Sequence, residues 1–67
     1  MIKYGSAHFS TTRLYRISPI VDDKTIAGRK VWVKNLIKQA GLNWLVVTLA
    51  DPSETEYLVK PVFIIPD

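Results

Sequence analysis

The sequence predicts an all-β fold, a small SH3-like five-stranded barrel, and three observations carry that prediction. Trp44 to Ala50 and Glu56 to Ile65 are β-rich runs separated by the polar turn Asp51-Pro52-Ser53-Glu54, the pattern of an antiparallel hairpin. Two more β-prone runs precede them, each bounded by proline or glycine. Finally, a sheet built from only 67 residues has edges to hide, and closing into a barrel hides them.

The elements follow in order. Residues 1–10 are expected to form a loose N-terminal arm of a single domain spanning 1–67. Thr11 to Ile17 is rich in β-formers and stops at Ser18-Pro19, because proline lacks a ladder donor and restricts the residue before it. This gives a first strand at about 12–17. Asp22-Asp23-Lys24 reads as polar loop, and Gly28 as the turn before Arg29-Lys30-Val31-Trp32-Val33.

Two periodicities fit Lys30 to Ala40. On a helix, Trp32, Val33, Leu36, Ile37 and Ala40 share one arc and Gly41 stands at the C-terminal cap; this is an α+β alternative with a helix at about 24–40 packed on an antiparallel sheet. As a strand, Val-Trp-Val is strongly β-prone and Gln39 to Asn43 becomes a hairpin loop. Thr25, Ile26, Gly28, Val31 and Val33 are poor helix formers, which favours the strand. The resulting meander has strands at about 12–17, 29–37, 44–50 and 55–60, closed by an extended piece at Ile64-Ile65. The string Gly28 to Lys34 resembles strands of nucleic-acid-binding and chromatin-type barrels over seven residues, with no diagnostic motif after it and no family implied.

Composition excludes more than it selects. With no cysteine there is no disulfide framework and no thiolate metal site, so a reducing compartment, the cytoplasm, is the expected location. No apolar run approaches the roughly 20 residues of a membrane-spanning helix. His8 is the sole histidine, and no nucleophile, base and orienting group fall into a catalytic pattern. Asp51, Ser53 and Thr55 imitate the opening of a calcium loop, but its glycine and bidentate glutamate positions hold Glu56 and Val62. Gly5, Gly28 and Gly41 are too far apart to cradle a phosphate. The expectation is a non-enzymatic protein with no catalytic residues, no metal and no cofactor.

Charge is uneven. Residues 1–38 carry eight of the nine lysines and arginines and a formal charge of +6, whereas 39–67 carry −3. Lys30, Lys34 and Lys38 recur every fourth residue, a spacing that keeps side chains on one side of a helix or a strand. In a strand Trp32 joins them, combining phosphate-neutralising cations with an indole on which a base would stack. The leading expectation is therefore a nucleic-acid-binding module using Arg13, Arg16, Arg29, Lys30, Trp32, Lys34 and Lys38. The alternative is a protein-interaction module or small subunit that docks through Trp44, Tyr57 and Phe63, with the lysines steering it toward an acidic protein. A second copy of the chain is among the partners this alternative admits.

Overall fold

The computed structural model describes residues 1–51 and 55–67. Residues 52–54, the heart of the expected polar turn, lie outside the described residues. Among the described residues there are seven strands and one short 3-10 turn: β1 (Ile2–Tyr4), β2 (Ala7–Phe9), β3 (Leu14–Ile17), β4 (Lys30–Gln39), β5 (Leu42–Leu49), β6 (Glu56–Val59), the 3-10 turn Pro61–Phe63, and β7 (Ile64–Pro66). No α-helix occurs among the described residues, so the helix alternative at 24–40 is overturned: Val31 and Val33 alternate with Lys30 and Trp32 and are fully buried against β5, as period 2 requires.

The main sheet has five antiparallel strands in the order β6-β5-β4-β3-β7. β3 to β6 form a meander, and β7 returns to pair with β3, with Ile17 opposite Ile64. Only Lys60 and the 3-10 turn separate β6 at one edge from β7 at the other. Four inter-strand spacings of a flat sheet come to about 19 Å. A link with one 3-10 turn reaches only about 13 Å. The sheet therefore curls, bringing its two edges toward each other around the inner face.

That inner face is the core. Tyr15 and Ile17 of β3, Val31 and Val33 of β4, Leu45, Val47 and Leu49 of β5, Val59 of β6 and Ile64 of β7 are buried together. The long connection between β3 and β4 contributes Val21 and Ile26, so residues expected as plain loop cover part of the core. Hydrogen bonds tie it down: Gly28 N–H donates to the Ile17 carbonyl at 2.9 Å, and Ser18 N–H to the Phe63 carbonyl at 2.7 Å.

Residues 1–10 carry secondary structure of their own. They hold the β1–β2 hairpin, whose Phe9 is 6% exposed and meets Tyr15 edge-on at 5.7 Å between ring centroids. Ser10 N–H donates to the Tyr15 hydroxyl at 2.7 Å. The β4–β5 turn is tighter than the sequence suggested: Ala40 (φ 53°) and Gly41 (φ 78°) alone connect the strands. Positive φ at both central positions is the backbone of a type I′ turn, natural for glycine and strained for alanine.

Candidate functional site

The two expected surfaces fare differently. The lysine row depends on unbroken alternation along β4, and β4 is broken. Val33 pairs with Val47 and Asn35 with Val46, so Lys34 is an extra residue, a β-bulge. Before it, even-numbered residues face away from the core; after it, odd-numbered ones do. Lys30, Trp32 and Lys34 stay on the outer face, but Lys38 passes to the side of Leu36 and Leu45. The expected common face of three lysines is therefore corrected to two lysines and a tryptophan.

Carboxylates also sit among these cations. Arg16 and Lys30 are directly opposite on β3 and β4. Ile17 N–H bonds the Arg29 carbonyl, which makes Arg16 and Lys30 a non-hydrogen-bonded pair, the closer of the two antiparallel geometries. Two cations so placed repel. Asp67 lies between them, its Oδ1 2.9 Å from Arg16 Nη2 and its Oδ2 3.4 Å from Lys30 Nζ. The Arg16 hydrogen bond, opposed by desolvation and aided by Lys30, holds the Asp67 carboxyl below the ordinary aspartate range. Arg29 is paired with Asp51 at 3.1 Å. Arg16, Arg29 and Lys30 still line one shallow cavity of about 360 Å³, with Asp51 in its wall. Arg13 stands apart, its guanidinium 6.0 Å from the Tyr15 ring centroid. Trp32 is half-buried between Leu14 and Thr48 on neighbouring strands.

By contrast, Trp44, Tyr57 and Phe63 come together. All three are half-buried and line one groove of about 310 Å³. β6 forms one wall through Tyr57, Leu58 and Val59, and the β3–β4 connection forms the other through Val21, Asp22, Asp23 and Ile26. The Trp44 indole is oriented by donating Nε1–H to the Gln39 carbonyl at 3.2 Å. Phe63 is placed by the 3-10 turn, where its N–H donates to the Lys60 carbonyl at 3.0 Å.

Sequence reasoning missed the acidic wall. Asp23 Oδ1 accepts hydrogen bonds from Thr25 Oγ1 at 2.6 Å and Thr25 N–H at 3.0 Å, which organise the connection and hold the Asp23 carboxyl below its ordinary value. The available signal was Val21 and Ile26, two large aliphatics flanking Asp22-Asp23, which mark a connection folded back on the core. The groove is thus apolar in its floor, with Asp22 and Asp23 along the rim formed by the β3–β4 connection and Lys60 at the end of β6. Among the described residues no cluster of metal-ligating side chains occurs, and no helix of the described residues is long and apolar enough to cross a membrane. Comparison with protein-family models, curated proteins and solved structures gives no match to this chain.

Proposed function

We propose that this protein is a small non-enzymatic protein-interaction module, and that its recognition surface is the groove between β6 and the β3–β4 connection. The observation that carries the reading is the convergence of Trp44, Tyr57 and Phe63 on one concavity facing Asp22 and Asp23. Aromatic floors supply large contact area at low entropic cost, and the acidic rim selects an extended segment with lysine or arginine beside apolar residues. The curl of the sheet and its strand order support reading the architecture as an SH3-like barrel, in which this groove lies along the flank of the barrel.

The two tryptophans test the proposal. Titrating a short peptide of alternating lysine and valine into isotope-labelled protein is expected to shift the Trp44 indole N–H resonance and leave that of Trp32 in place. Asp22→Asn with Asp23→Asn is expected to weaken binding by about tenfold, the scale of 1.4 kcal/mol. A peptide that perturbs Trp32 first, or is indifferent to the two aspartates, would overturn the groove as the site.

One observation favours nucleic-acid binding as a second reading: Arg16, Arg29 and Lys30 line a single cavity, and Trp32 and Lys34 follow Lys30 on the same face of β4. A fluorescent single-stranded oligonucleotide should then bind in low salt and be lost steeply as salt rises. Arg29→Gln should reduce that binding, and salt-independent or absent binding would remove the reading.

A further inference from the structure

Among the described residues, the outer edge of β6 offers backbone groups at Leu58 that no hydrogen bond uses. On an antiparallel edge strand, alternate residues turn N–H and C=O toward the neighbour and the rest turn them outward. Leu49 N–H donates to the Thr55 carbonyl at 3.3 Å, which fixes the phase. Tyr57 and Val59 are therefore bonded to Val47 and Leu45, whereas Glu56, Leu58 and Lys60 point their backbone away from β5. The Lys60 carbonyl accepts from Phe63. Among the described residues, no hydrogen bond engages the outward groups of Leu58. Its side chain, 43% exposed, is one of the large apolar groups left at the surface.

We propose that β6 is a self-complementary edge, and that two copies of this chain join their sheets antiparallel across it, about a two-fold axis at Leu58. In that register Leu58 lies opposite Leu58 of the partner subunit, each donating its N–H to the other's carbonyl. Glu56 lies opposite Lys60 of the partner subunit, and symmetry repeats this pair on the other side of the axis. Residues at all three positions have outward backbone groups, so the pairing is in phase with the ladder. Of the other two-fold registers in the same phase, an axis at Glu56 opposes two glutamates and an axis at Lys60 opposes two lysines, while axes at Tyr57 or Val59 set Leu58 opposite a charged residue and lose the paired Glu56–Lys60 contacts. The contact is short, so the dimer belongs to the weak, concentration-dependent class. The proposal goes beyond the groove reading and shares Leu58 and Lys60 with it, so the two are told apart by the readout: dimerisation is read by mass without peptide, and the groove by peptide binding at concentrations where the chain is monomeric.

Sedimentation equilibrium from micromolar to millimolar concentration tests it. The weight-average mass is expected to rise toward twice that of the monomer. Glu56→Lys alone places like charges opposite at two symmetric positions and should raise the dissociation constant by at least about tenfold. Combining Glu56→Lys with Lys60→Glu reverses both partners and should restore dimerisation, with circular dichroism confirming the fold of each variant. If Glu56→Lys does not fold, Leu58→Lys, which sets two ammonium groups on the axis, is expected to produce the same loss. A monomer at every concentration would overturn the proposal, as would a dimer unmoved by the single charge reversal or not recovered by the double one.

Discussion

The two edges of the sheet are finished in opposite ways. β7 is closed as a pairing template: Ile64 and Pro66 are its outward-facing residues, the Ile64 N–H is consumed by the Pro61 carbonyl, and Pro66 has no N–H to offer. Asp67 then fastens the strand end to Arg16 and Lys30. β6 has no such devices at Leu58, and the apolar, acid-rimmed groove runs beside it. A protein of this size needs to blunt its exposed edges to remain discrete. That one edge is blocked by proline and the other left able to pair argues that pairing at β6 is a use of the fold.

The largest effect tests whether the edges share one core. Leu45, opposite Val59, and Ile17, opposite Ile64, are each 0% exposed. Leu45→Ala and Ile17→Ala should each cost about 2 to 5 kcal/mol in denaturant unfolding, with a single transition in both. Two transitions in either variant would mean that the edges are separate units. Next comes the β4–β5 turn that leads toward the β6 side. Ala40→Gly relieves a positive φ and should raise stability by about 1 kcal/mol, measured the same way.

A smaller effect concerns the fastening of β7. The Asp67 carboxyl is held below its ordinary value of 3.8, so the folded state binds this proton less readily than the unfolded chain. The stabilisation is fully present above that ordinary value and is lost as pH falls through the lower folded-state value. Asp67→Asn should therefore lower the melting temperature slightly at neutral pH. The gap to wild type should close in strong acid and shrink in high salt. A gap that persists in acid would mean that Asp67 acts through packing. The smallest effect is expected from Pro66→Ala, which gives the β7 edge a donor: stability should move by no more than about 0.5 kcal/mol. Any new self-association by sedimentation would show how much that proline contributes to keeping the edge closed.

Most of the strand order was legible because burial imposes period 2 wherever a strand covers the core. Val31 and Val33 on β4, and Leu45, Val47 and Leu49 on β5, follow that rule. The N-terminal hairpin was not legible: it has only three residues per strand, and one buried side chain, Phe9, anchors it. The lysine row failed for a different reason. Spacing in sequence becomes spacing in space only if the ladder is regular, and no side-chain pattern around Lys34 announces an extra residue. Asp67 lies 51 positions from Arg16 in the chain, a proximity created by β3–β7 pairing and invisible to local reading. The aromatic triad was named from its residue types, but its acidic wall required the β3–β4 connection to fold back.

The extra residue at Lys34 makes β4 behave like a reading frame. Deleting Lys34 itself would remove the bulge and leave every later residue opposite its present partner and on its present side, whereas deleting Gln39 would make the residues between the bulge and the cut swap sides, turning Leu36 to water and Ile37 to the interior. A single deletion in this strand is therefore tolerable at the bulge and more disruptive the farther beyond it the cut falls, so the position of one lysine governs which deletions the fold can survive.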